Sequence, residues 1–335
     1  MIEIDGSYKE AGGQIIRTAI GLSAVTGKPC RIFNIRKGRS QPGLKAQHLS
    51  GINAVAKLCN AKTDGFKIGS EKIEFHPGNL SHKPLKIDIG TAGSVTLVLQ
   101  SLIIPAIHTD KELVFKVIGG TNVAWSPTVE YFQHIFCDFL KKMGIDIHID
   151  TKRYGFYPKG GGIVNVTVHP GDIVPLRLEE RGKMIRADAW SVASKTLEKP
   201  RVAERQIEGV KQIEIEKKNV QYVDSNSTGS SLHMHAHYEN CKLGASVLGE
   251  RGKLAENVGE EAASLLKKQM ESNACLDEWM GDQILPYNAL AGKSRVTVSK
   301  ITNHLLTNIW AIEKFLPVKF QIERGVPSTV SIKMQ

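Results

Sequence analysis

His304 is the residue of this chain whose type and position are best suited to chemistry. A residue able to cap a helix, Thr302 or Asn303, precedes it, and apolar residues follow at helical spacing as far as Pro317. The sequence therefore predicts a helix with His304 in its first turn, where the helix dipole disfavours an imidazolium and free N–H groups attract phosphate. A neutral imidazole beside an anion site is a candidate nucleophile toward phosphorus. From position alone, a packed or capping histidine is the favoured alternative.

A second group of candidate binding residues surrounds a Gly-rich turn near the N-terminus. Glu10 precedes Gly12 and Gly13 at the predicted start of a helix, where adjacent glycines let a backbone approach a ligand and the helix N-terminus suits an anion. A simple strand-to-helix turn explains the two glycines equally well. The most basic residues of this region are Arg17, Arg36, Lys37, Arg39 and Lys45. They could converge at strand ends to bind phosphate, and a solvated charged face is the alternative.

Two further patterns leave their interpretation open. Gln100 is one amide in a strongly apolar predicted helix, so we expect it to bond to backbone or to a ligand. His233, His235 and His237 alternate and would project from one face of a strand. Together they could bind zinc or nickel, although the pattern favours exposed residues of a polar face.

Length and composition are typical of a soluble globular enzyme. The chain has 335 residues, 41% of them hydrophobic and 23% charged, and its net charge of +10 favours a polyanionic partner such as nucleic acid or a nucleotide. Five scattered cysteines without a Cys-x-x-Cys pair argue against a zinc site of that kind and against a secreted disulfide framework. The acidic start and the lack of a long apolar run predict no signal peptide, no membrane partner and a cytoplasmic location.

The chain also contains an internal repeat. The triplet His-Pro-Gly occurs at 76–78 and at 169–171, each time after a predicted strand. Upstream of each triplet the elements have the same order: strand, Gly-rich turn, helix, strand, helix. The predicted helices span residues 13–26 and 44–59 in the first copy, and 94–107 and 128–143 in the second. Strand 295–298, the His304 helix and strands 318–322 and 328–332 form a third, partial copy.

A stretch of different character interrupts this third copy. We predict that residues 181–275 form a small inserted α/β domain, and that residues 1–180 and 276–335 form one large repeat-built catalytic domain. The insert is expected to have its own core and to share few buried contacts with the rest of the chain.

Several ordered blocks of the sequence resemble the RNA 3′-terminal phosphate cyclase family. The blocks are residues 5–17, 35–39, 42–44, 47–49, 90–94, 155–162, 282–283, 304–308 and 315–318. The resemblance implies an α/β fold of three repeated units around a pseudo-threefold axis, with a smaller domain inserted in the third.

The resemblance further implies an activity. It is the ATP-dependent conversion of an RNA 3′-terminal phosphate to a 2′,3′-cyclic phosphodiester, a ligase reaction of RNA processing. The implied intermediates are a covalent histidyl-AMP enzyme, formed on His304, and an RNA-adenylate. ATP would be the co-substrate and Mg²⁺ or Mn²⁺ the accompanying ion.

The family's functional residues can be carried over to matching positions of this chain. The residues implied to contact the nucleotide are Gln100, Pro127, Trp279, Asp282 and Gln283, with Trp279 in the place of the usual tyrosine. The residues implied to bind the RNA phosphate are Arg17, Arg36, Arg39 and Gln47, and Glu10 is the implied metal ligand.

Two alternatives and one further partner stay open. The first alternative is a non-catalytic cyclase-like RNA-binding protein of ribosome assembly, against which the presence of His304, Asp282 and Gln283 argues. The second is an enolpyruvyl transferase of related architecture, which needs no histidine nucleophile. A homodimer is also compatible with the sequence.

Overall fold

The computed structural model describes residues 1–10 and 12–334 and has the predicted α/β architecture. Its strands form four mixed sheets of four strands each. Within the described residues, no helix combines the length and the apolar character needed to cross a bilayer.

The first unit ends at the first His-Pro-Gly triplet. Its elements are β1 (Ile2–Asp5), α1 (Gly13–Thr26), β2 (Cys30–Phe33), α2 (Ala46–Leu58), β3 (Lys62–Asp64) and β4 (Ile73–His76). Helix α1 has the predicted bounds, and it ends at Gly27, whose positive φ of 68° is a left-handed conformation that glycine adopts without strain. The sequence analysis missed β3, an edge strand whose residues are all exposed.

The second unit ends at the second triplet. Its elements are β5 (Leu85–Asp88), α3 (Val95–Ala106), β6 (Leu113–Gly119), α4 (Val129–Tyr131), α5 (Cys137–Lys142), β7 (Asp146–Arg153) and β8 (Gly162–His169). Ser94 caps α3, since its hydroxyl accepts a hydrogen bond from the Leu97 amide at 3.2 Å. A π-helical turn, Phe132–Phe136, joins α4 to α5, so the predicted single helix has an irregular middle.

The third sheet combines strands from both sides of the predicted insert. Strand β9 (Arg177–Leu178) precedes the insert. The insert contains β10 (Met184–Ser194), α6 (Val202–Glu208), β11 (Lys217–Val223), β12 (Ser230–Tyr238), β13 (Lys242–Leu248) and α7 (Ala255–Glu271). After it come α8 (Met280–Gln283), α9 (Leu285–Ala291), β14 (Arg295–Val298), α10 (Asn303–Phe315), β15 (Val318–Glu323) and β16 (Ser328–Met334).

Three of the four sheets have the same strand order. Counted along the chain within each sheet, the order is first, second, fourth, third, and it applies to β1–β4, to β5–β8 and to β9 with β14–β16. In each of them the first two strands are parallel and the other pairs are antiparallel. This common connectivity agrees with the repeat in the sequence, and the pseudo-threefold arrangement stays a prediction.

The insert has its own sheet, in the order β11-β10-β12-β13, and that sheet is docked on the rest of the molecule through buried polar contacts. The Asn122 amide donates to the Ser231 hydroxyl at 2.7 Å, and Asp277 accepts from the Tyr131 hydroxyl at 2.6 Å and from the Gly244 amide at 3.0 Å. Buried polar contacts therefore join the insert to the rest of the chain, and the predicted division into two domains stays a prediction. The interface could not be predicted from an apolar pattern in the sequence, because polar residues form these contacts.

We expect Asn122→Ala to lower the free energy of unfolding by about 1–3 kcal/mol, because the buried Glu130 carboxyl and Ser231 hydroxyl lose the amide that donates hydrogen bonds to them. Its amide bonds to the buried Glu130 carboxyl at 2.8 Å as well as to Ser231. Urea denaturation measures the change, and Asn79→Ala, at an exposed position, is the matched control. A destabilisation no larger than that of the control would contradict this account of the interface.

Candidate active site

Two adjoining cavities contain the candidate site residues. The first, of about 430 Å³, is lined by the residues predicted to contact the nucleotide: Gln100, Pro127, Trp279, Asp282 and Gln283. The second, of about 670 Å³, is lined by those predicted to bind phosphate and metal: Glu10, Arg17, Arg36, Arg39 and Gln47. His304 and Arg17 line both cavities. The fold thus brings together the residues that the sequence analysis selected from distant parts of the chain, with His304 at their junction.

His304 lies in the first turn of α10, as the sequence predicted. The Thr302 hydroxyl accepts a hydrogen bond from the Leu305 amide at 3.0 Å and caps the helix. Leu305 is buried, which fixes the first turn against the core, whereas the His304 side chain is 49% exposed. The helix therefore presents its imidazole to the cavities and does not bury it, which argues against the packed histidine considered above.

Gln14 connects His304 to Asp282. Its amide oxygen bonds to His304 Nδ1, and its amide nitrogen donates to Asp282 Oδ2 at 2.6 Å. Because the carboxylate accepts from the nitrogen, the oxygen must be turned toward the imidazole. Nδ1 then carries the ring proton and Nε2 carries the lone pair.

The free ring nitrogen lies beside Glu10 and Arg39, which line the second cavity. His304 Nε2 lies 3.6 Å from Glu10 Oε1, and the same carboxylate oxygen accepts from Arg39 Nη2 at 2.8 Å. Glu10 is the carboxylate at this position that could hold a divalent ion, since magnesium is commonly bound by one or two carboxylates together with substrate phosphates.

The surroundings keep the imidazole neutral. Partial burial lowers the pKa of His304 from its ordinary value, and the positive charges of Arg17 and Arg39 lower it further, against the opposing effect of Glu10. The sequence analysis predicted a neutral ring from the helix dipole, and these charges are an additional cause. Burial also raises the pKa of Asp282 to about 7, although Arg17 opposes that shift.

Side chains in the nucleotide cavity hold one another in place. Gln100 donates to the Gln283 side-chain oxygen at 2.8 Å, and Gln283 in turn donates to the Trp279 carbonyl at 2.9 Å. Gln100 thus has a side-chain partner and not the backbone partner that we considered, and its contact with a ligand stays a prediction. Trp279 also packs edge-on against Tyr131, with 6.4 Å between ring centroids, while Pro127 lies on the cavity wall.

The second cavity is strongly basic. Burial lowers the pKa of Arg17 to about 10, which leaves it charged at neutral pH. Arg36 donates to the carbonyls of Gln41 and Gly43 at 2.7 and 2.9 Å, so it shapes its own loop as well as lining the cavity. The Gln47 side chain accepts from the Ser94 amide at 3.2 Å, at the start of α3.

One glycine of the turn has a role other than the one we expected. A Cβ at Gly13 would lie 2.2 Å from His48 Nε2, so this glycine makes room for a buried histidine of the protein itself. Burial and the neighbouring cations Arg17, Arg36 and Lys45 lower the pKa of His48 to about 3. His48 therefore lines the cavity as an uncharged imidazole.

Gln14, Trp125 and Ser246 are among the residues of the site that were not selected from the sequence. Gln14 could have been found from the sequence, because, like Gln100, it is an amide in a largely apolar helix, where a buried polar side chain needs a partner. Trp125 lines both cavities and is 98% exposed, and nothing around it in the sequence marked it. Ser246 lines the nucleotide cavity from the insert, which no local pattern could have indicated.

Comparison with known proteins agrees with this geometry. The family model described as RNA 3′-terminal phosphate cyclase matches residues 8–322. Among curated proteins with that name, the chain is 44% identical to one from Pyrococcus furiosus, with 97% of this chain and 96% of the relative covered. It is 42% identical to one from Methanopyrus kandleri, with 99% of each covered, and 41% identical to one from Archaeoglobus fulgidus, with 96% and 98% covered. This chain belongs to the RNA 3′-terminal phosphate cyclase family.

Proposed function

We propose that this protein converts an RNA 3′-terminal phosphate to a 2′,3′-cyclic phosphodiester at the expense of ATP, through a histidyl-AMP intermediate on His304. The observation that carries the proposal is the position of His304 Nε2 at the junction of two cavities, with Nδ1 bonded to Gln14. A nucleophile at such a junction can take the adenylyl group from ATP in one cavity and then transfer it to the RNA phosphate in the other.

In the first step, the Nε2 lone pair attacks the α-phosphorus of ATP. The N–P bond forms, the bond from that phosphorus to the bridging oxygen of the β-phosphate breaks, and pyrophosphate leaves. The adenosine is assigned to the cavity of Gln100, Pro127 and Trp279, whose apolar walls and amides suit a purine base. The amide oxygen of Gln14 accepts a hydrogen bond from Nδ1–H throughout and stabilises the positive charge that develops on the ring.

In the second step, an oxygen of the RNA 3′-phosphate attacks the phosphorus held by His304, and the N–P bond breaks. A phosphate monoester lacks a good leaving group until it is joined to AMP in this way. In the third step, the adjacent ribose 2′-oxygen attacks the 3′-phosphorus, its proton is lost to solvent and AMP leaves. Because this last step is intramolecular, proximity supplies much of its acceleration.

The basic cavity is the proposed site of the RNA end. Arg17, Arg36 and Arg39 offer charge-assisted hydrogen bonds to phosphate oxygens. Glu10 is the proposed ligand of Mg²⁺ or Mn²⁺, which when bound would screen the charges of the phosphates that meet near His304. The exposed indole of Trp125 at the shared rim is available for stacking on a base of the bound strand.

Incubation with ATP labelled at the α-phosphate should label the protein covalently, and the label should be acid-labile and alkali-stable, as a phosphoramidate is. His304→Ala and His304→Asn should abolish it, while His169→Ala, which changes a half-buried histidine that lines neither cavity, should not. Undiminished labelling of either His304 variant would refute the nucleophile assignment, and a wild-type chain that is never labelled would favour the non-catalytic relative.

Arg36→Ala should reduce RNA cyclisation by roughly tenfold or more, the effect of losing one charged hydrogen bond, and should spare self-adenylylation. Lys37→Ala is the matched control, because it removes a positive charge from an exposed position of the same loop. Arg39→Ala should also affect self-adenylylation, since Arg39 bonds to Glu10 next to His304. Equal loss of both half-reactions in Arg36→Ala would assign Arg36 to the ATP site.

The pKa of His304, followed by NMR of the labelled imidazole, should lie below 6.5. Arg39→Ala removes a cation that disfavours the imidazolium and should raise this pKa, whereas Glu10→Gln removes the opposing anion and should lower it further. Arg251→Ala, at an exposed position of the insert, should leave it unchanged. Shifts of the same sign in the two site variants would mean that these charges do not control the ring.

A further inference from the structure

The three alternating histidines of β12 lie on a buried face of the insert. His233 is 0% exposed and His235 is 1% exposed, so the interpretation of the sequence as an exposed polar face is wrong. Across the sheet, Asp188 of β10 is the register partner of His235 and is also 1% exposed. A buried carboxylate therefore adjoins buried imidazoles.

Three of these side chains direct one ligand atom each toward a common point. His237 Nε2 lies 2.7 Å from His235 Nε2 and 3.0 Å from Asp188 Oδ2, and the remaining distance, from His235 Nε2 to Asp188 Oδ2, is 3.9 Å. His233 is not part of this group, since it lies behind His235 and contacts only its other ring nitrogen.

One proton on His237 Nε2 cannot serve both of its close contacts with good geometry. A ring nitrogen has a single in-plane valence, which holds either a proton or a lone pair. If His237 Nε2 has the proton, that proton cannot point along both of its close contacts. If it has the lone pair, the lone pair faces the lone pairs of the Asp188 carboxylate. A cation between the three atoms would accept all three lone pairs at once.

The candidate ligands have outer hydrogen-bond partners of the kind that surround metal ligands in proteins. His235 Nδ1 is hydrogen-bonded to His233 Nε2 at 3.1 Å, and His233 Nδ1 to the Ser246 hydroxyl at 2.9 Å. Arg186 donates to both oxygens of Asp188, at 3.1 and 3.0 Å. Such outer partners fix the ring orientation and the carboxylate of a metal site.

We propose that Asp188, His235 and His237 bind one divalent transition-metal ion of the zinc class, with the fourth position open to water. Two imidazoles and one carboxylate are donors that suit zinc better than magnesium, which prefers oxygen. The His237 side chain is 14% exposed, so an ion has a route to the site from solvent. The ion would join β10 to β12 and would be separate from the divalent ion proposed at Glu10.

The test uses the full-length protein after chelator treatment, with Co²⁺ as a spectroscopic probe of a four-coordinate site. Titration should produce visible absorption that saturates at about one equivalent and is abolished by Zn²⁺, as expected for a site of this kind. His237→Gln, at the least buried ligand, should weaken binding by at least roughly tenfold. His148→Gln, which changes an exposed histidine of β7, should bind as the wild type does.

A second measurement begins with the wild-type chain, whose result cannot be obscured by misfolding of a variant. In side-chain NMR of the wild-type chain, Zn²⁺ should shift the Nε2 resonances of two of the 11 histidines, with the pattern of direct ligation. Saturable shifts that are lost in Asp188→Asn would support the site. Absence of stoichiometric binding by the wild type, or unchanged binding in His237→Gln, would overturn the proposal.

Discussion

The burial of helix α1 is the constraint on which the rest of the site depends. This helix contacts α2, α3 and α10, and most of its residues are buried. A helix packed on three sides has little freedom to rotate, so the side chains at its N-terminal end have fixed directions. One buried hydrogen bond, from Thr18 to Asn308 at 2.7 Å, joins it to α10 and contributes about 1 kcal/mol. Its larger consequence is to set the first turn of α10, and with it His304, relative to Gln14.

Electrostatics links the two tasks that the site would have to perform. Burial is the main cause of the lowered pKa of His304, and Arg17 and Arg39, which are proposed to bind phosphate, lower it further, so the same cations would favour both an anion and a neutral nucleophile. Asp282 offsets part of the charge of Arg17, and the burial of both groups makes their interaction stronger than it would be in water. The dipole of α10 acts on the same ring, because His304 lies in the first turn of that helix, and these charges add to its effect.

The sequence predicted what depends on local pattern. The bounds of α1, the position of His304 in its helix and the order of elements in two repeats all followed from periodicity and turn residues. The residues that gather at the two cavities were selected through family motifs, because no spacing along the chain brings residue 10 next to residue 304. What escaped prediction depends on distant contacts: the burial of His233 and His235, the amide pair Gln100–Gln283, and the polar docking of the insert. A polar residue that is buried by a distant part of the chain has the same local pattern as an exposed one. The alternation of His233, His235 and His237 was therefore interpreted as an exposed polar face.

The insert is also part of the wall of the nucleotide cavity. Ser246 of β13 lines that cavity and bonds to His233, whose other nitrogen is linked to the proposed metal ligand His235. On the opposite side, Asp277 accepts hydrogen bonds from the Gly244, Trp279 and Met280 amides, which ties β13 to the turn that carries Trp279. Any change that loosens β12 or β13 would therefore reach the walls of this cavity without altering a residue proposed to contact the nucleotide. If the nucleotide binds there as proposed, the insert supports its binding through the position of β13, and the core of the insert is coupled to the cavity.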